Sequence, residues 1–475
     1  MRKVEDYIST LKSKYVNLYF NGDLIRDITS HPQWKKIINS HALFFKYAQS
    51  SDYESLLTTK SHLTGEKIYR FNSLTKTAED LINYHKCKRF YYENTGTCVP
   101  GLCVGWVAQN ALWDTTWRID QEYGTNYNER LRDFICEAQS GGYVVSCGLT
   151  DAKGDRSKKA SDQLEKDTWV RIVDRQPDGI IVRGTKCIIA GAAVSDYIFI
   201  MSGKGFKEDE KDYAVAVAIP RDAKGLTMVE NRRVNDVRDL EDGFDNPVPF
   251  ANNSQYIILD DVFVPNEMVF MDGEYKYAAN TVAFFTANYR ATIGACVAGQ
   301  GSMMVGAGIN IARCNGIAMK KVLPKLLDMV LLNETTYAIG LGAIVAGKEL
   351  PSGVWRADPL LSHTNKIQVA KLPYETKRIL QDIAGGFVEN GCLPSSADFP
   401  MVEKYMAAGC SGETRARTAR LIEWFCQGAG IPGCMHGGGS PDSAKLVQAA
   451  LTPFEKYAKK AAELAGINEE IIDPK

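Results

Sequence analysis

The sequence predicts an α+β protein in three parts: an N-terminal α-helical domain over 1–140, a middle β-barrel or sandwich domain over 141–274, and a C-terminal helix-bundle domain over 275–475. Three observations predict this order. Apolar residues recur at helical spacing through the first part. Short Val/Ile/Tyr-rich runs bounded by Gly and Pro fill the middle. Helical spacing returns near Tyr275 and persists to the end.

In the first part, SLTKTAEDLINYHKCKRFYYE carries apolar positions on one helical face, with Ser73 or Thr75 as its cap. ALWDTTWRIDQEYGTNYNERLRDFICEAQ continues in that style, and Tyr123-Gly124-Thr125-Asn126 marks a turn between helices. The pattern changes at Gly141-Gly142. YVVSCGLTDAKGDRS reads as a strand followed by a polar loop, and QPDG between two later runs reads as a hairpin. There proline presets φ and glycine accepts a positive one. In the last part, NTVAFFTANYRATIGACVAGQGSMMVGAGINIARCNG is a long helix rich in small residues, which let helices pack closely. The GxG runs, such as Gly437-Gly438-Gly439, follow no strand, so they are no Rossmann fingerprint.

Composition sets bounds. At 475 residues and a net charge of −1, the chain is long enough for a large core and lacks the basic balance that nucleic acid or an anionic membrane would ask for. The N-terminus MRKVEDYISTLKSKYVNLYF is charged and amphipathic, unlike a secretory leader. The apolar stretch at 329–347 is interrupted by Asn333, Glu334, Thr335 and Thr336 and reads as a buried helix rather than a membrane span. A cytoplasmic protein is expected. Its 12 cysteines form no dense framework of the secreted kind, which fits a reducing, anaerobic setting. Most of them are expected to be buried thiols behaving as small hydrophobes.

Two stretches carry chemistry. TGTCVPGLCVG places Cys98 and Cys103 on either side of a turn, as metal ligands or as two more buried thiols. LTDAKGDRS (149–157) gathers Thr150, Asp151, Asp155, Arg156 and Ser157 around Gly154. Such a loop can hydrogen-bond a flat heteroaromatic ring and meet a pyrophosphate with its arginine, or it is a solvated turn in which Asp151 is a local cap.

The α–β–α order and LTDAKGDRS together resemble the 4-hydroxybutyryl-CoA dehydratase group, which stands with the reduced-flavin 4-hydroxyphenylacetate 3-hydroxylases in the acyl-CoA dehydrogenase fold. The resemblance extends through YGTNYNER, IVRGTKCIIAGAAVSD, NYRATIGAC, LQDIAGGFVENGCLPSSADF and MHGGGSP, and KGDRS points to the dehydratase branch. It implies an N-terminal helical domain, a middle β domain and a C-terminal four-helix bundle. It further implies a homotetramer (a dimer of dimers), with FAD between β domain and bundle and completed by a neighbouring subunit. On that resemblance the cofactor set is Leu149, Thr150, Asp151, Gly154, Asp155, Arg156, Ser157, Ala190, Asp382, Gly385 and Gly386. The two glycines would let a helix end approach the flavin.

The family's dehydratases also hold a [4Fe-4S] cluster on two cysteines three residues apart, then a histidine and a cysteine seven positions apart on a helix. Here Cys103 and Cys296 match two of these positions. Strict alignment puts Val99 at the first, with Cys98 one residue earlier, and Tyr289 stands at the histidine position. The base glutamate's position is Gly433, the active-site threonine is Ala190, and Val297 and Ile293 replace a lysine and a tyrosine. Gly433 and Ala190 have no side chain to move a proton, and a tyrosine is a poor base at neutral pH. Two outcomes stay open: Cys98, Cys103, Cys296 and Tyr289 hold a cluster, since a non-cysteine fourth ligand is allowed, or the cluster is lost and the thiols are buried. Tyr289, Arg290 and His436 are the catalytic candidates, Arg290 for an acyl carbonyl or phosphate, with Tyr91 and Tyr92 able to line a pocket.

Three functions follow. The first is an FAD enzyme that dehydrates or isomerises a hydroxyacyl- or enoyl-CoA, or carries out a related redox step with an electron-transfer partner. The second is a reduced-flavin monooxygenase acting on an aromatic substrate. The third is a degenerate flavin- or acyl-CoA-binding paralogue. No partner is expected among nucleic acids or membranes.

Overall fold

The computed structural model describes residues 1–232, 241–391, 393–427 and 437–467. Helices α1 (Val4–Ser13), α2 (Pro32–Tyr47), α3 (Glu54–Leu57), α4 (Ala78–Thr95), α5 (Val104–Tyr123) and α6 (Tyr127–Gly141) build the N-terminal part. The cap of α4 is Thr77 rather than Ser73 or Thr75. Its hydroxyl accepts from the Asp80 N–H (3.1 Å), while the Asp80 carboxylate accepts from the Thr77 N–H (3.0 Å), a reciprocal capping box. Thr75 is instead buried, hydrogen-bonded to Asn110. α5 ends where expected, at Gly124 with φ 67°.

This part is not purely helical. β1 (Leu18–Phe20) and β2 (Asp23–Ile25) form a hairpin around Asn21 and Gly22, both at positive φ. Asn-Gly is a strong signal for that turn, but three-residue strands are too short to display a period of two. β3 (Thr58–Lys60) and β4 (Lys67–Tyr69) pair with each other as a separate two-stranded sheet.

The middle domain is a two-sheet sandwich. β1 runs parallel to β10 (Leu226–Glu230), giving a six-stranded sheet ordered β2-β1-β10-β11-β7-β6. In it, β6 (Arg171–Gln176) and β7 (Gly179–Ala190) are joined by the expected hairpin, with Gln176 paired to Gly179. β11 (Ser254–Pro265) pairs with β7 along its length. The second sheet is ordered β12-β9-β8-β5, with β5 (Val145–Gly148), β8 (Tyr197–Met201), β9 (Val215–Pro220) and β12 (Val269–Asp272).

The bundle is organised on the 40-residue helix Tyr275–Cys314. It is long and apolar enough to cross a bilayer, yet 72% of its most apolar window is buried, so it is the core helix of the bundle. Helices Met319–Val345, Pro359–Val369, Leu372–Ala384 and Gly412–Gln427 pack on it, and α4 and α5 pack on it from the N-terminal part. Met319–Val345 buries one face only. Leu323, Leu327, Val330 and Leu331 lie on its exposed face.

Candidate active site

The face of α4 that meets the long helix presents Lys88 and Tyr92, one turn apart; the long helix answers with Tyr289, Thr292 and Cys296, spaced over two turns. Lys88 is 1% exposed, and its Nζ donates to Thr292 Oγ1 (3.0 Å) and lies 4.9 Å from the Tyr289 ring centroid. Burial opposes the lysine's charge, and the Cys103, Cys296 and Cys98 sulfurs outweigh it, so the ammonium is held above the ordinary lysine range. Burial first, then Cys98 and Cys296, pushes the Tyr92 phenol well up. Burial also raises the Cys296 thiol, with Lys88 pulling the other way. The three cysteines singled out from the sequence and Tyr289 therefore share one pocket, around a lysine that the sequence reading passed over. A signal was present: Lys88 falls on the buried stripe Leu81, Tyr84, Tyr91 and Thr95, where an apolar residue is due.

The cysteine loop is braced from several sides. Gly96 ends α4 at φ 67°, residues Pro100–Leu102 make a 3₁₀ turn, and Cys103 begins α5. Tyr84 Oη donates to Leu102 O (2.6 Å) and the Gln300 amide to Gly96 O (2.7 Å). A Cβ at Gly191, just beyond Ala190, would stand 2.8 Å from Pro100 Cγ, so the end of β7 abuts this loop. Ala190 itself contributes its carbonyl, which accepts from Ser146 Oγ (2.8 Å).

His41 completes the brace. Its Nδ1 meets Ile37 O (2.9 Å) and its Nε2 accepts from the Gly101 N–H (3.2 Å), so the neutral Nδ1–H tautomer satisfies both. Burial holds its pKa down to about 4, below the ordinary 6.5. Above pH 6.5 the group is neutral in both states and adds no pH dependence. Between 6.5 and 4 the unfolded chain binds a proton that the folded chain does not, so stability falls as pH falls. The expected loss from about pH 7 to about pH 5 is about 2 kcal/mol from this residue. In urea titrations at the two pH values, His41→Asn should lose about 2 kcal/mol less over that range than wild type.

The 149–157 loop leaves the end of β5. Asp155 accepts from both the N–H (3.0 Å) and the hydroxyl (2.7 Å) of Ser157, and its carboxyl is held below its ordinary range, chiefly by the Ser157 hydroxyl. Arg156 is exposed and makes no ion pair among the described residues. Asp151 differs from its neighbours: it is buried, and its carboxylate is committed to Lys186 (2.5 Å). Asp382 is exposed and paired with Lys325 (2.8 Å). Gly385 has φ 71° with open space where a Cβ would stand, a place a ligand can approach closely. Gly386 follows it at the start of the short helix Gly386–Glu389.

Arg290 and the fully buried Lys366 hold the glycine-rich segment over the pocket. Arg290 Nε donates to Gly438 O (2.9 Å) and Lys366 Nζ to Gly437 O (2.6 Å). A Cβ at Gly438 would lie 2.7 Å from the Tyr289 ring. Burial lowers the Arg290 pKa to about 10. His436 and Gly433 lie outside the described residues. Tyr91 is buried in the core, against Phe44. Among the described residues no three His, Cys, Asp or Glu side chains are placed to hold a single metal ion.

Comparison with known proteins bears on this pocket. The N-terminal profile of the 4-hydroxyphenylacetate 3-hydroxylases matches residues 3–271, and the C-terminal profile matches 278–466. The 4-hydroxybutyryl-CoA dehydratase/vinylacetyl-CoA-Delta-isomerase of Clostridium aminobutyricum is 34% identical over 98% of this chain and 99% of its own. The oxygenase component of 4-hydroxyphenylacetate 3-monooxygenase from Thermus thermophilus is 24% identical over 87% and 85%. Among solved structures, an oxygen-tolerant archaeal 4-hydroxybutyryl-CoA dehydratase from N. maritimus superposes with a TM-score of 0.94 at 36% identity, covering 100% of this chain and 97% of that one. The oxygenase component of 4-hydroxyphenylacetate 3-monooxygenase, complexed with FAD, superposes at 0.83 with 20% identity over 98% of each chain, a likeness of fold.

Proposed function

The chain belongs to the 4-hydroxybutyryl-CoA dehydratase and 4-hydroxyphenylacetate 3-hydroxylase family, and from that premise we propose that it is an FAD-dependent enzyme of the dehydratase side. Its substrate is a hydroxyacyl- or enoyl-CoA thioester, and its reaction is dehydration, isomerisation or a related flavin redox step. The observation that carries this is the end-to-end identity with the dehydratase/isomerase, higher than with the monooxygenase.

Thr150, Asp155, Arg156 and Ser157 lie along the flavin, and Gly385 and Gly386 of a neighbouring copy in a homotetramer complete its cleft. Cys98, Cys103, Cys296 and Tyr289 are the ligands of a [4Fe-4S] cluster. What supports the cluster is the donor chemistry: three sulfurs and a phenol around one buried ammonium, which offsets the negative charge of thiolate ligands. When bound, the flavin supplies redox chemistry and the cluster a Lewis-acidic iron. The chain's own residues do the rest. Buried Tyr84, Tyr92 and Trp106 exclude water from the pocket. Arg290 orients the acyl carbonyl. Lys88 Nζ keeps its proton beside Thr292 Oγ1 and polarises that hydroxyl.

Anaerobic purification with flavin, iron and sulfide quantitation, followed by assay on 4-hydroxybutyryl-CoA and vinylacetyl-CoA, tests the reading. Stoichiometric FAD with cubane-like iron and sulfide, and turnover of either thioester, is the expected result. Iron-free yellow protein whose reduced flavin spends oxygen on a phenol would replace it with the monooxygenase reading, which the lack of a base side chain at Gly433 favours. Colourless protein taking up no FAD would leave the degenerate paralogue.

A further inference from the structure

One buried group outside this pocket is tied to the flavin loop. Lys186 sits on β7, in the six-stranded sheet, yet its Nζ reaches the other sheet. It donates to Met201 O at the end of β8 (2.8 Å), to Leu149 O (3.3 Å) and to Asp151 Oδ1 (2.5 Å). The two side chains are 2% and 3% exposed. The backbone is pinned at the same place. Asp151 and Lys186 form a β-bridge, the Cys187 N–H donates to Thr150 O (2.9 Å), and Cys187 Sγ donates to Asp151 O (3.1 Å). Space around the pair is closed: a Cβ at Gly203 would stand 2.7 Å from Asp151 Oδ2, and one at Gly148 would stand 3.3 Å from Lys186 Cγ. Immediately beyond this anchor the chain turns through two left-handed residues, Lys153 (φ 74°) and Gly154 (φ 56°), and becomes exposed.

A buried ion pair roughly breaks even against well-packed apolar residues, because desolvation consumes its Coulombic gain. Stability alone would be as well served by an apolar pair here. What the pair supplies is direction: an ammonium with three acceptors at fixed places admits one arrangement of the loop start.

We infer that Lys186, acting through Asp151, is the positioning residue of the 149–157 loop, tying both sheets to the first residues of that loop and so setting its register toward the flavin. The inference rests on the flavin reading above for what the loop holds, but not for how the loop is held.

The test uses the full-length protein and the double variant Asp151→Asn/Lys186→Met, which removes both charges at similar volume. Asp151→Asn/Lys186→Gln, which also removes both charges but keeps a hydrogen-bonding group on each side, is the milder companion should the first double variant fail to fold. The expected result is native far-ultraviolet circular dichroism, a thermal midpoint close to wild type, and FAD affinity at least about tenfold weaker, by analogy with the loss of other supporting shells. Amide hydrogen exchange in 149–157 should also be faster in the FAD-free protein. Unchanged exchange in the loop would overturn the inference, whatever happens to the midpoint. Faster exchange with unchanged FAD affinity would overturn its link to the flavin. If the wild type takes up no FAD, the flavin reading fails, and the exchange measurement still decides whether Lys186 positions the loop.

Discussion

Cys296→Ser, purified without oxygen, should retain its flavin and lose its iron and sulfide, with turnover of the CoA thioester abolished. Cys296 is 4% exposed on the face of the long helix that also carries Tyr289 and Thr292. A serine there is small enough to fold, so the loss reads out ligation and not packing. Tyr289→Phe separates the phenol from the ring. The phenyl group keeps the stack on Phe285 (5.6 Å between centroids) and the lysine above it (4.9 Å). With only the hydroxyl gone, kcat should fall by roughly 100-fold or more, in the range of a lost proton-transfer or ligand group, while the thermal midpoint stays near that of wild type. Wild-type protein and both variants with equal iron and equal turnover would dismiss the pocket as a site.

Gly294→Val should cost about 3 kcal/mol of stability, the upper part of the usual range for overpacking. A Cβ at Gly294 would run into Thr336 O on the neighbouring helix and stand 2.8 Å from Asn365 Nδ2, which itself donates to Arg290 O (2.9 Å). Neither backbone nor a buried amide with fixed partners can move aside cheaply. Two helices cross here at close range through glycines, Gly340 meeting Ala291 O in the same way. Because Gly294 lies two residues from Cys296, the variant should also lose iron. Gly306, on the same helix, has nothing within 4 Å of its would-be Cβ. Gly306→Ala should therefore stabilise the helix by up to about 1 kcal/mol. Thermal and guanidinium unfolding of both variants check the contrast.

How much was legible beforehand differs by scale. The order of helical part, β domain and bundle was readable because amphipathic periods survive over long windows. QPDG, Gly124 and the long helix at 275–314 all fall where residue chemistry puts them. Short elements were harder to read. Leu18–Phe20 joins the sheet of the middle domain by pairing with Leu226–Glu230, a partner about two hundred residues away that no local pattern announces. The cap of α4 moved to Thr77 because Thr75 has a better use in the core, with Asn110.

Within the candidate site, the sequence by itself determined the chemistry available: which thiols, which phenol, which polar loop, and which base positions are empty. Those are properties of residue identity at a spacing. Only the tertiary structure decided that Cys98, Cys103, Cys296 and Tyr289 surround Lys88, that Asp151 belongs to Lys186 and not to the solvent-facing loop, and that His41 supports the turn between two cysteines. These are meetings between elements far apart in the chain. They are set by which faces pack and by how burial makes an unpaired polar group costly, and a one-dimensional pattern does not hold that information.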